Sequence, residues 1–345
     1  MHYCKTSAKL RKIAQKLVLL QSKYIYMGII SFLKKWTLPS SLLIGAVVYL
    51  LFVKIPFLVP SGNILGPIIV HIIPYVLFIM LYVTFCKIQI KDMRPRKWHF
   101  VLQGIRITLS GILVFFISIA HDANLKLILE GVFICVICPT AAAAPVITEK
   151  LGGSIASLTI YTIIANIVTS IIIPLFFPLV EKNADLSFLT AFSMLLRRVL
   201  VVLVLPLCLA LLTRRFAPSF AAKVKERKNL AFYLWGVNLS ILSGITIANI
   251  LKSTVSGWVL TLLLILPLFV TFMLFAIGKY VGKHYGDSIS AGQALGQKNT
   301  AVGLWLTITF LNPVASVAPG VYAIWQNLFN AWQLWYKDKY GYLKW

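Results

Sequence analysis

The chain alternates apolar runs of about 20 residues, the length that crosses a bilayer, with short clusters of lysine and arginine. Cutting it at those clusters leaves ten candidate spans, roughly 37–53, 65–86, 98–118, 127–148, 154–180, 199–213, 229–250, 257–278, 288–311 and 314–336. With 59% apolar and 12% charged residues over 345 positions, the composition lies outside the range of soluble domains. Backbone polar groups in hydrocarbon must be satisfied within the chain, so each run reads as a helix and the fold class as an all-α polytopic membrane protein.

A net charge of +24 would suit a nucleic-acid partner, yet its distribution has a better explanation. Cytoplasmic loops of membrane proteins collect Lys and Arg. With both termini inside, 25 of the 33 basic residues fall in inner segments, among them Lys34, Lys35, Arg94, Arg96, Lys97, Arg214, Arg215, Arg227 and Lys228. The outer segments hold six: Lys54, Lys126, Lys182, Arg197, Arg198 and Lys252. Arg106 and Lys298 remain inside apolar runs. The expectation is a multi-pass protein of an inner (plasma) membrane with cytoplasmic termini, lipid as its surroundings and no nucleic acid as partner.

Two runs are interrupted. "CPTAAAAPVITEK" (138–150) carries Pro139 and Pro145, which lack N–H groups and crowd the preceding turn, so a helix through 138–146 loses backbone bonds near mid-membrane. "ALGQKNTAVG" (294–303) places Gln297, Lys298, Asn299 and Thr300 in a second apolar run. Unpaired carbonyls in hydrocarbon cost several kcal/mol each unless they face protein or a polar cavity. An isolated proline kink would be unremarkable in a membrane helix. A pair of interruptions at corresponding places marks a binding site instead.

The places do correspond. "SFLKKWTLP" introduces the first span and "SMLLRRVLVVLVLP" the sixth, and Pro139 follows Thr37 by 102 residues where Lys298 follows Val199 by 99. Two halves of five spans, an odd number, insert in opposite senses, giving the inverted repeat of many secondary transporters with crossed discontinuous helices four and nine. The expected division is a basic N-terminus over 1–36, repeats over 37–181 and 182–337, and a cytoplasmic tail over 338–345.

Cys4, Cys86, Cys135, Cys138 and Cys208 are odd in number and imply no disulfide framework. Cys135 and Cys138 form a C-x-x-C on one helix face, either a soft-metal or arsenite site or two small packing residues. His2, His71, His99, His121 and His284 lack ligand spacing, and no nucleophile set, carboxylate pair or phosphate loop indicates an enzyme or a bound cofactor. Residues 9–33 read as a basic amphipathic helix on the inner leaflet.

At the interruptions the sequence resembles the bile acid:sodium symporter family, in its bacterial branch, within the superfamily that also holds arsenite and riboflavin transporters. "ICPTAAAAPVITEKLGGSIASL" is similar to the family's fourth span, "GQKNTAVGL" to its ninth and "IWQNLFNAW" to its tenth, with Gln326 where the family has histidine. The resemblance, which runs from about Leu33 to Trp335, implies a panel domain of spans one, two, six and seven and a core of the other six. Substrate would lie between them, near Lys298, Asn299, Thr300, Gln326, Asn327, Gln103 and Arg106, and a monomer is expected.

The resemblance also implies sodium sites, and here most of their ligands are replaced. The matching positions hold Ala144, Pro145, Leu158, Thr162, Ala294 and Lys298, with Gln103 as the third-span glutamine. Sodium needs several oxygen donors, which alanine, leucine and lysine do not supply. Lys298 is open to three readings: a resident cation bonding the carbonyls freed by the Pro139–Pro145 break, a partner for an anionic substrate, or a titrating group coupled to protons. Arg106 either serves the core, with Glu130 as a possible partner, or reaches the headgroups. Thr162 and Asn166, at i and i+4, either satisfy the break or join helices. The leading expectation is a sodium-independent transporter of an amphipathic organic anion. An arsenite exporter using Cys138 and a non-transporting receptor or scaffold are the alternatives.

Overall fold

The computed structural model describes residues 32–33, 36–88, 90–181, 188–227, 229–253 and 255–343. The expected N-terminal amphipathic helix therefore lies almost entirely outside the described residues. The rest is helical, and the one β-type contact among the described residues is an isolated antiparallel bridge between Thr140 and Lys298.

The long helices are α1 (Thr37–Lys54), α2 (Val59–Phe85), α3 (Lys97–Ile119), α4 (Ala123–Ile137), the short α5 (Ala144–Leu151) and α6 (Ile155–Val180). Next come α7 (Phe188–Val199) and α8 (Leu205–Phe216), joined through a π-helical stretch at Leu200–Val204, then α9 (Pro218–Glu226) and α10 (Leu230–Leu251). The chain ends with α11 (Gly257–His284), α12 (Ser288–Gly296), α13 (Thr300–Phe310) and α14 (Val317–Tyr340). Polar residues set the ends. Asp122 accepts from Leu125 N at 2.7 Å to start α4, Ser154 accepts from Ser157 N at 3.2 Å to start α6, and Gly152, at φ +85°, takes the left-handed turn that stops α5.

Five helices, α1, α3, α6, α10 and α11, are long and apolar enough to cross a membrane, and seven are if two bent pairs each count once. One bend, 42° between Ile69 and His71 within α2, has a cause in Pro74, which withholds the N–H due to the carbonyl of residue 70. The other, 119° between α8 and α9, sits at Pro218. The described residues are thus all-helical, with several helices of the length and apolarity that cross a membrane.

Several expected boundaries shift. The second helix starts at Val59 rather than 65, and the last runs to Tyr340, into the expected tail. Arg197, placed by the charge count in an outer segment, lies near the end of α7, which continues into α8 through the π-helical stretch at Leu200–Val204. The interruption at 138–146 is shorter than expected, since helix resumes at Ala144. Pro145 sits in the first turn of α5 and so helps to start that helix instead of breaking one.

Three buried apolar clusters organise the packing of the described residues, one of them joining Val114, Phe133, Phe177, Leu306 and Phe310 of α3, α4, α6 and α13. Trp98, Leu102, Tyr161, Leu263, Leu274, Leu295 and Tyr322 gather α3, α6, α11, α12 and α14 around the interruptions. Leu38, Leu42, Met80, Leu207, Trp235 and Leu239 gather α1, α2, α8 and α10, with Ile147 of α5 among them.

Candidate functional site

Breaking a helix in mid-membrane orphans carbonyls on one side and N–H groups on the other, and each must be accounted for. In the first interruption, Cys138–Ala143, the carbonyls of Val136, Ile137 and Cys138 have lost the N–H groups of the next turn. Two cations take their place. Lys298 Nζ donates to Val136 O at 2.9 Å and to Cys138 O at 3.2 Å, and Arg106 Nη1 donates to Ile137 O at 2.9 Å. Positive charge at the C-terminal end of α4 also meets the negative end of its dipole.

The two interruptions satisfy each other. Ala141 N donates to Gln297 O at 2.9 Å and Asn299 N to Pro139 O at 2.8 Å, so the strands of the break pair antiparallel about Thr140 and Lys298. Thr140 Oγ1 donates to Ala294 O at 2.6 Å and Tyr322 Oη to Gly296 O at 2.6 Å, which covers the end of α12. Gln326 holds the Lys298 residue from the other side, accepting from its N–H at 2.7 Å and donating to its carbonyl at 3.2 Å. Asn299 caps α13 by accepting from Val302 N at 3.3 Å, with Thr300 buried at the first position. Lys298 is 2% exposed and Arg106 1%, so neither reaches a headgroup.

Other expected residues stand differently. Arg106 does not pair with Glu130. Its remaining donors go to Thr169 Oγ1 at 2.6 Å and Ala165 O at 3.1 Å on α6, whereas Glu130 lies 3.9 Å from Lys126, a turn earlier on its own helix. Thr162 and Asn166 satisfy no part of the break: Thr162 Oγ1 bonds Leu158 O and Asn166 Nδ2 bonds Thr162 O, each at 2.8 Å. A short side chain finds its own helix four residues back more easily than a neighbour. Asn327 donates to Ala323 O at 2.8 Å and accepts from Trp235 Nε1 of α10 at 3.3 Å. Gln103 and Gln297 are buried, and both side-chain polar atoms of each lack partners among the described residues.

Tyr322 and Thr169 were missed from sequence. Tyr322 carried a signal, since it lies four residues before Gln326 on a face of α14 that continues through Asn330 and Gln333, all four buried. Asn330 Oδ1 accepts from Gln293 Nε2 of α12 at 2.9 Å. Thr169 carried none.

Residues 74–255, more than half of the chain, match the Sodium Bile acid symporter family. The chain belongs to that family. A relative from Bacillus subtilis (strain 168), described as an uncharacterized sodium-dependent transporter, YocS, is 24% identical over 245 residues, covering 69% of this chain and 73% of that protein. As a sodium bile acid symporter family member the chain is an integral, multi-pass membrane transporter, in keeping with its apolar helices. In this family member Ala144, Leu158 and Ala294 belong to one buried apolar cluster and offer no side-chain oxygen. Cys138 Sγ lies so close to Gly303 that a Cβ added there would meet it at 2.8 Å, and no group of three or more His, Cys, Asp or Glu residues stands at metal-binding distance among the described residues.

Proposed function

We propose that this chain moves an organic anion across the membrane by alternating access, without sodium. In this reading the chain has ten spans in two inverted repeats, with α4 and α5 forming the fourth and α12 and α13 the ninth. The panel comprises α1, α2, α7–α8 and α10, and the core the remaining spans. A buried apolar cluster drawn chiefly from α1, α2, α8 and α10, with Val146, Ile147 and Leu151 of α5 and Ala331 of α14 packed into it, is what a panel lying against a core would produce. Both termini are cytoplasmic by the charge distribution.

The observation that carries the reading is the Lys298 ammonium on Val136 O and Cys138 O. A coordinating metal ion requires free oxygen donors, and these carbonyls are already engaged by a like charge. The residues present do not fit sodium: positions that would supply its ligands hold Ala144, Pro145, Leu158 and Ala294. Arg106 and Lys298 act instead as resident cations that hold the break, and their charge favours an anionic substrate approaching the crossing near Asn299, Thr300, Gln326 and Asn327. The small-residue packing around Cys138 favours structure over arsenite chemistry for that thiol.

Uptake of labelled cholate and smaller carboxylates into proteoliposomes, with sodium replaced by choline, tests the proposal. Equal uptake in both media is the expected result, strict sodium dependence would refute it, and arsenite efflux abolished by Cys138→Ser would replace it. Absence of any uptake from a stably folded preparation would favour a receptor or scaffold.

A further inference from the structure

Helices α3 and α6 present matched polar faces. His99, Gln103, Arg106 and Ser110 recur along one side of α3, and Ser157, Tyr161, Ala165 and Thr169 along one side of α6. The faces are joined above and below. His99 Nε2 and Ser157 Oγ are 3.1 Å apart, and Arg106 reaches Ala165 O and Thr169 Oγ1. By that parallel register Gln103 stands level with Tyr161.

At this middle level the bonding fails. Neither polar atom of Gln103 has a hydrogen-bond partner among the described residues, nor does Arg106 Nε or Trp98 Nε1, and Tyr161 Oη has at most the Thr140 hydroxyl near it. All four residues are at most 4% exposed, Trp98 stacks on Tyr161 with ring centroids 5.5 Å apart, and the Tyr161 phenol lies within electrostatic reach of Arg106. Native interiors rarely leave so many buried donors unmatched, and each costs about 1–3 kcal/mol when nothing answers it. Four of these five atoms are N–H or O–H donors, against one carbonyl acceptor.

Charge gives the same sign. Arg106 and Lys298 interact electrostatically, and no ion pair among the described residues involves either, the pairs being those of Lys87, Arg96 and Lys126. Two cations at the helix crossing, bonded only to neutral acceptors, are a costly arrangement that a counter-ion relieves. Complete burial restricts that ion to a small one.

We propose that the level between α3 and α6 marked by Gln103, Arg106 and Tyr161 binds a monatomic anion of the chloride class, held by the Arg106 Nε, Gln103 Nε2 and Tyr161 Oη donors. Trp98 Nε1 is the fourth available donor. The inference rests on reading Arg106 and Lys298 as resident cations, and is independent of which organic anion is carried. It turns the ion preference of the core from cation to anion.

The full-length protein, purified in detergent in sodium gluconate, is melted while gluconate is exchanged for chloride or bromide at constant ionic strength. The expected result is a saturable rise in melting temperature of about 3 °C. Gln103→Leu and Tyr161→Phe should each abolish the rise, while melting in gluconate stays equal to or above that of the unaltered protein, because an unmatched polar group has been removed. Identical melting in gluconate and halide would overturn the proposal, leaving the level to water. So would a halide response that persists in both variants, which would mark a general salt effect. No substrate enters the measurement, so its outcome is separate from that of the sodium-replacement uptake assay.

Discussion

Lys298 and Val136, 162 residues apart in the chain, are joined by a 2.9 Å bond from ammonium to carbonyl at the point where two interrupted helices meet. The bond solves a backbone problem with a side chain. A broken helix in the bilayer interior needs donors for its last carbonyls, and water is not at hand. Lysine brings three donors on one atom, so a single residue answers two carbonyls at the end of α4.

Substituting Lys298→Met should therefore lower stability by about 2 kcal/mol, the cost of two unanswered carbonyls less the relief of removing a buried charge. Thermal melting in detergent measures it. Lys298→Gln should melt between the two, because an amide donates to one carbonyl at a time. An unchanged melting temperature for Lys298→Met would mean that the bonds are incidental.

Arg106 makes a different use of charge. Its planar fork ties Ile137 O on α4 to Ala165 O and Thr169 Oγ1 on α6, a geometry lysine does not reproduce. Arg106→Lys should cost most of what Arg106→Met costs, and Thr169→Val about 1.5 kcal/mol through the lost charged hydrogen bond. Melting curves of the three variants decide; full rescue by lysine would show that charge alone matters.

Sequence showed where the backbone fails more readily than it showed what repairs it. Pro139 has no N–H whatever its surroundings, and a Gln-Lys-Asn run in an apolar stretch is costly anywhere in a membrane, so both interruptions were legible. The effect of Pro145 was not, because the same ring breaks a helix interior and starts a first turn, and only the restart at Ala144 separates the two cases. Long-range partners were legible in part. Bonding to the freed carbonyls is one of three roles the sequence leaves open for Lys298, but the assignment of Arg106 to Ile137 O and of Tyr322 to Gly296 O depends on how helices pack. Thr162 and Asn166 misled because spacing places them on a shared face without saying that their own carbonyls compete for them.

Close helix approach supplies another test. A Cβ placed on Gly45 of α1 would overlap the carbonyl oxygen of Ser240 on α10, and Ser243 Oγ of the same helix donates to Leu42 O at 2.7 Å. Glycine permits backbones to touch, which is how helices gain packing energy in lipid. Gly45→Val should separate the pair and destabilise the protein by about 3 kcal/mol, read as a lower melting temperature, whereas Gly66→Ala, with nothing within 4 Å of an added Cβ, should change it little.

The end of α2 is fastened to α5 by Lys87 and Glu149, whose charged atoms lie 2.9 Å apart with Glu149 partly exposed. Lys150, the next residue of α5, bonds Asn229 at the start of α10. In the proposed division these bonds join panel to core, so they must break whenever that end of the interface opens. Cys86, 3% exposed beside Lys87, reports such opening through its thiol. A partly exposed pair contributes up to about 1 kcal/mol, which corresponds to roughly a fivefold change in an opening equilibrium. Glu149→Gln, in a Cys4→Ser, Cys208→Ser background, should accelerate maleimide labelling of Cys86 by about that factor while shifting the melting temperature little. Labelling at an unaltered rate would show that α2 and α5 stay together through the cycle, and the boundary between the moving bodies would then have to be drawn elsewhere.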